Sequence, residues 1–433
     1  MISPRTVPVL HALLLAGLLF AGGAARAAAA AAAAAGPAAA EWPQFRGPTG
    51  DGHSPARQVP HRWSATENVA WKTAVPGRGW SSPVLAGGRL YLTSAEAQAG
   101  SDALTLEALC FDAADGRLLW KSVVFGQATD APGIHRKNSH ASPTPIVDGD
   151  RLYVHFGHMG TAALDLAAEG RVLWRNAIVK YDPVHGNGGT PILVDDRLVF
   201  SCDGAADPFV VALDKRTGGV AWRVDRRSTF PRTFSFATAS LIEFAGRRQI
   251  ISPASGFIAA YDPVDGHELW RVRHEGWSVI PKPVFAHGLV FCGTGYEAPT
   301  TVAIRPDGTG DVTDSHVAWT LRRGAPNTPS FLAIGDELYL LADSGVLSCL
   351  DARTGKSHYQ ERACGQSSAS PVFADGRIYL LDEQGLGVVI APGKEFRKLA
   401  ENPLGERTLA SYAVTDGALF IRSEESLFRI GAK

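Results

Sequence analysis

The sequence predicts an all-β chain, an eight-bladed β-propeller of four-stranded antiparallel blades. Three observations carry this. A phrase of the form D-x-x-T/D-G-x-x-x-W recurs at roughly 37- to 54-residue spacing, the range of a propeller blade. Eight apolar strand starts run along the chain, from Ser81 to Ser411. A lone Trp-bearing strand near the N-terminus matches a strand missing at the C-terminus.

The phrase reads Asp112, Gly116, Trp120, then Asp214, Thr217, Gly218, Trp222, then Asp262, Gly266, Trp270. Asp165, Gly170, Trp174 is the same phrase with one residue inserted, and Asp351, Thr354, Gly355 ends in Tyr359 in place of Trp. A looser copy with an insertion ends in Trp319, and a decayed one ends near Phe396. Asp and Gly suit the turn between third and fourth strands, where Gly takes positive φ without steric cost. Trp then lies in the fourth strand. Trp71, Trp120, Trp174, Trp222, Trp270 and Trp319 are read as wedges between blades, each burial contributing about 1.5–3 kcal/mol.

Before each phrase comes a small polar run, an apolar strand, a turn and an aromatic-rich strand. Ser81-Ser82-Pro83 to Tyr91, Ser142-Pro143 to Tyr153, Thr190-Pro191 to Phe200 and Ser370-Pro371 to Tyr379 show it most clearly. Gly87-Gly88, Asp148-Gly149, Asp375-Gly376 and Asp416-Gly417 are hairpin signals. The start at Ser411 leaves room for only three strands, the third at Leu427–Ile430. Residues 68–72, with Trp71, supply the fourth and close the ring, which removes the exposed sheet edge. Residues 41–66 then form an arm, and residues 41–433 the propeller domain.

Composition agrees. The 433 residues include 46 Gly and 27 Pro but only 2 Met, a mix that favours short strands and turns. Formal net charge is −1, so no basic excess exists to neutralise a phosphate backbone, and nucleic acid is not an expected partner.

The N-terminus reads as an export signal over residues 1–27. Arg5 is its positive part, Val9 to Phe20 its apolar part, and Ala25-Arg26-Ala27 an A-x-A cleavage site. Residues 28–40 form an Ala-rich spacer. The expected location is periplasmic or secreted, with no membrane span after cleavage and no lipid-bearing Cys. Cys110, Cys202, Cys292, Cys349 and Cys364 form no C-x-x-C pair and give no zinc or thioredoxin signature.

The Ala212-Leu213-Asp214 to Trp222 segment resembles the repeat of the PQQ-type (pyrroloquinoline quinone) propeller family, and the resemblance covers residues 41–433. That family includes quinoprotein alcohol dehydrogenases and the propeller subunit of the bacterial outer-membrane barrel-assembly machine. Glu41-Trp42-Pro43-Gln44-Phe45-Arg46-Gly47 and Glu67-Asn68-Val69-Ala70-Trp71 look like an exported PQQ-binding-like subgroup of planctomycete-type bacteria. The resemblance implies PQQ with calcium as a cofactor. The dehydrogenases, however, hold the quinone against two adjacent Cys, and no two Cys are adjacent here.

In a propeller the loops leading into the innermost strands gather on one face of the channel, and function lives there. Those loops nominate Arg78, Trp80, His135, Lys137, Asn138, His140, His185, Asn187, Arg232, Trp277, Asn327 and Arg407 as ligand-binding residues. They offer cations, amides and aromatic faces to a polar small ligand or a protein segment. The alternative is a solvated rim. His155 and His158, with His135, His140 and His185, are the best metal-ligand candidates, though their spacing fits no zinc signature. Asp203 and Asp207 could hold calcium but read more simply as turn residues. With no G-x-S-x-G elbow there is no support for a nucleophilic hydrolase. The favoured function is a monomeric, non-catalytic binding or scaffold module. A divergent PQQ-dependent oxidoreductase and an outer-membrane barrel-assembly factor are the rivals.

Overall fold

A computed structural model describes residues 40–98, 100, 103–127 and 133–432. The export signal and most of the Ala-rich spacer lie outside the described residues. From Ala40 onward the chain is one compact unit.

The described residues build eight sheets, and in blades 1 to 7 four antiparallel strands follow one another in sequence order from the channel outward. Blade 1 runs Val84–Ala86, Arg89–Ala97, Leu104–Asp112 and Leu118–Gln127. Blades 2 to 7 repeat this from Ile146, Ile192, Ser240, Val284, Leu332 and Val372. The middle strands carry the apolar alternation and are almost wholly buried, so neighbouring sheets face each other through Val, Ile, Leu and Tyr side chains.

Blade 8 has three strands of its own, Ala413–Thr415, Ala418–Arg422 and Ser426–Gly431. Its outer strand is Val69–Ala74, antiparallel to the last one, with Lys72 opposite Phe428 and Thr73 opposite Leu427. The two ends of the propeller thus share one sheet. Arg422, buried in blade 8, ties the seam by donating to Ser81 Oγ at 2.6 Å and Thr93 O at 2.9 Å of blade 1.

The repeat phrase makes the turn expected of it. Gly116, Gly170, Gly218, Gly266 and Gly355 have φ of +70° to +78°. Each packs against the Trp of the preceding blade: Trp71 on Gly116, Trp120 on Gly170, Trp174 on Gly218, Trp222 on Gly266 and Trp319 on Gly355. A Cβ there would overlap the indole. Trp270 has a different setting. The insertion before Trp319 adds the strand Gly310–Asp311, parallel to the outer strand of blade 4, and a single helical turn, Thr313–His316. Trp270 is fully buried and donates to Gln249 Oε1 at 2.6 Å. All five cysteines are free, buried thiols.

The arm does more than lead into the first strand. Trp42 pairs through its backbone with Leu85 of blade 1, and Pro43 O accepts from Val147 N of blade 2. The chain then reaches the other side of the channel. Arg46 donates to Phe331 O and Pro371 O, and Ser54 N donates to Phe373 O, on blades 6 and 7. These contacts fall on, or just before, the innermost strands of blades 1, 2, 6 and 7, so the arm crosses the channel. Residues 42–54 therefore close one end of the channel.

Candidate functional site

Closure by the arm turns the channel into a funnel with one mouth. Its cavity is about 680 Å³. Phe45 of the arm forms part of the floor.

Above the floor runs a belt with one position per blade: Ser82, Thr144, Thr190, Thr238, Lys282, Ser330, Ser370 and Ser411. Seven are hydroxyls. The backbone N–H of each position donates to the hydroxyl of the next blade, at 2.9–3.1 Å, from Ser82 to Thr144, Thr190 and Thr238. It runs again from Lys282 to Ser330, Ser370, Ser411 and back to Ser82. Lys282 interrupts it, because it brings no hydroxyl for Thr238. The Lys282 amine instead donates to Gly50 O at 2.8 Å on the arm. Burial, with Arg46 nearby, lowers the Lys282 amine to about 7.

The wall is aromatic and polar. Trp80, Phe236, Trp277 and Tyr296 line it. Rings of His135, His185, Phe234, Trp277 and Tyr296 follow one another edge to face with centroids 5.2–5.8 Å apart. At the mouth, the loop before blade 2 reaches blade 7, where Lys137 Nζ meets Glu383 Oε1 at 2.7 Å and Ser368 Oγ donates to the same oxygen. Asp343 is the one carboxylate in the lining among the described residues, and its Oδ2 accepts the backbone N–H of Asn327 and Thr328.

Of the residues nominated from sequence, Trp80, His135, Lys137, Asn138, His185, Trp277 and Asn327 line the funnel. Arg232 and Arg407 lie over the rings of Trp277 and Trp80, at 4.2 and 5.4 Å from the centroids. Arg78, His140 and Asn187 fall outside the lining, against expectation. Arg78 is held at the edge of blade 1 by backbone bonds to Ala95 in both directions. His140 is half-buried. Asn187 folds inward beneath Gly157, donates to Phe156 O and accepts from Tyr181 OH. It borders a separate cavity of about 10 Å³ with His155, Ser201 and Asp203. Phe45, Phe236, Tyr296 and the belt were not nominated. The recurrent Ser or Thr before the inner strands was the available signal for the belt.

The five histidines are not gathered around a common point. Among the described residues, the group of three close enough to share a metal ion is Asp262, Asp265 and His267, on the exposed turn of blade 4. His155 is buried, bonded through Nδ1 to Thr161 Oγ1 at 2.8 Å and packed at a tilt against the Phe200 ring. Asp203 pairs with buried Arg226 at 3.0 Å, and Asp207 is exposed, so the two do not form a calcium site. Burial pushes the Asp203 carboxyl up to about 7 despite Arg226.

Burial holds His155 down to about 3 and His158 and His274 down to about 4. Unfolded histidines protonate near about 6.5, so unfolding takes up protons below that pH. Their contribution is complete above about 6.5 and is lost as pH falls toward their folded values. Asp203 runs the other way: its contribution is present below about 3.9 and is lost as pH rises through about 7. Stability should therefore fall from pH 7 to pH 4. In His155→Gln that slope should be shallower by up to about 1.4 kcal/mol per pH unit. Denaturant titrations across this range check it, and an unchanged slope would refute a neutral buried His155.

A protein-family model described as outer membrane protein assembly factor BamB matches residues 60–206, 206–334 and 331–417. The chain belongs to this family of PQQ-type β-propellers. The family's curated relatives include BamB of Alkalilimnicola ehrlichii, 28% identical over 153 residues, which are 34% of this chain and 39% of that protein. Methanol dehydrogenase subunit 1 of Methylobacterium organophilum is 27% identical over 163 residues, 32% of this chain and 24% of that one. The chain thus spans about a quarter to two-fifths of the length of these relatives. The crystal structure of BamB from Moraxella catarrhalis shares the fold, with TM-score 0.57, 12% identity, and coverage of 84% of this chain and 99% of that one.

A calcium-bound quinone, as the family resemblance implies, does not fit this funnel. Calcium takes six to eight oxygen ligands rich in carboxylate. Among the described residues the lining offers one carboxylate, Asp343, whose Oδ2 already accepts two backbone N–H groups. The cysteines are separate buried thiols.

Proposed function

We propose that the chain is an exported, monomeric binding or scaffold propeller that takes a polar small ligand or a protein segment into the funnel. The observation that carries this is the cavity of about 680 Å³, with Phe45 of the arm in its lining, walled by aromatic rings and belted with hydroxyls. Such a mix of apolar wall and a few convergent polar groups is the usual make-up of a ligand pocket. Export is supported by Arg5, the apolar run Val9–Phe20 and Ala25-Arg26-Ala27. No described helix is long and apolar enough to cross a membrane.

Native mass spectrometry of the purified chain tests the reading. A retained ligand mass is expected, and Trp80→Ala/Trp277→Ala should weaken its retention by about tenfold or more, as loss of aromatic contact area does. Equal retention by the double variant would remove the funnel as the site.

The family's BamB description supports a second reading, an outer-membrane assembly factor. Pull-down from outer-membrane extracts should then recover a barrel-assembly component, and recovery of none would count against it.

A further inference from the structure

The floor of the funnel has an electrostatic sense that the wall lacks. A hydroxyl carries one proton to donate and two lone pairs to accept with. In the belt, each of the seven oxygens already accepts a backbone N–H from the neighbouring blade. That bond polarises the hydroxyl and leaves its proton to give. Among the described residues none of these seven protons goes to a protein acceptor, and all seven side chains line the cavity.

Positive charge lies under one arc of the belt. Lys282 occupies the eighth position, and its buried amine bonds Gly50 O. Arg46, also buried, donates to Phe331 O and Pro371 O, the residues after Ser330 and Ser370. Among the described residues neither cation has a carboxylate within ion-pair distance. The acid that acts on both is Asp51, whose Oδ1 is taken up by Thr49 Oγ1 and His53 N. Above the arc, Asp343 is already bonded to two backbone amides. The floor therefore offers hydroxyl protons and two cations against one nearby carboxylate, Asp51.

We propose that the arc Thr238–Ser330–Ser370, above Lys282 and Arg46, seats the anionic head group of the ligand, a carboxylate or an oxoanion, while an apolar body rises along Phe236 and Trp277. A group with only acceptor atoms satisfies these donors, whereas a cation or a donor-rich head leaves them unpaired. The assignment rests on the funnel being the ligand site. It adds a pH dependence. The amine of Lys282, lowered to about 7 by burial and by Arg46 and raised in part by Asp51, gains its charge as pH falls through neutrality. Anion binding should tighten in the same direction.

The test uses three probes of one shape on the full chain by titration calorimetry: 2-naphthoate, 2-naphthalenesulfonate and neutral 2-naphthamide. Near about pH 6 the anions should bind about tenfold or more tighter than the amide, the scale of a charge-assisted hydrogen bond, and the gap should narrow near about pH 8. The carboxylate and sulfonate arms separate the two head-group classes. Lys282→Met and Ser330→Ala/Ser370→Ala should bring the anions down to the amide's affinity. Ser330→Thr, which keeps the hydroxyl and its backbone bond, should preserve the preference and guards against a folding artefact. Equal binding of anion and amide to the unaltered chain would overturn the anion seat and leave the funnel standing. An anion preference that survives both Lys282→Met and the double alanine variant would place the anion elsewhere and overturn it too. Failure of all three probes to bind would overturn the seat and count against the funnel as well.

Discussion

A chain beginning at Val75, without the arm and the strand Val69–Ala74, is expected not to fold. The missing strand is the outer strand of blade 8, paired from Val69 opposite Ile430 to Ala74 opposite Ser426. Without it the strand Ser426–Gly431 becomes an open edge, and the Trp71 wedge leaves the turn of Gly116. The arm also carries Trp42, Val59 and Trp63, all buried in the core shared by blades 1, 7 and 8. At about 1.5–3 kcal/mol for each buried large side chain, these losses rival the whole stability of a domain, about 5–15 kcal/mol. Far-ultraviolet circular dichroism and thermal melting check this. A cooperative transition within a few degrees of the full chain would contradict it.

Trp222→Ala should cost about 3–5 kcal/mol, as for other large buried aromatics. The indole is 9% exposed and lies between blades 3 and 4. Its six-membered ring covers Gly266, where an added Cβ would come within 2.5 Å of Cε3. Gly266→Ala attacks the same contact from the other blade, and at φ +77° it also adds backbone strain. The two changes remove one interface, so together they should cost less than their sum. Urea unfolding of the four proteins of this cycle measures it. A Trp222→Ala change within experimental error would mean that the ring is not a wedge.

The blades were legible in the sequence because their signals are local. The turn glycine, the Trp four residues later and the alternation of the middle strands all lie within one repeat. Even the closing strand could be matched, since Trp71 stands where a fourth-strand Trp belongs. The floor of the funnel was not legible in that way. Lys282 reaches Gly50 across 232 positions of sequence, and Arg46 reaches Phe331 across 285. No local pattern encodes such crossings. The wall was half legible. Polar loops before inner strands led to Trp80, His135 and Trp277, but composition alone did not separate Asn138, at the mouth, from Asn187, which turns inward under Gly157.

Amide hydrogen exchange over the arm tests the one-mouthed funnel most directly. Gly52 N donates to Arg46 O and Ser54 N to Phe373 O, while Leu85 N and Val147 N donate to Trp42 O and Pro43 O. If residues 42–54 seal the channel, these four amides should exchange as slowly as those of the middle strands. Exchange of Gly52 and Ser54 at the rate of an unstructured peptide would mean that the arm stands away from the channel, leaving it open at both ends.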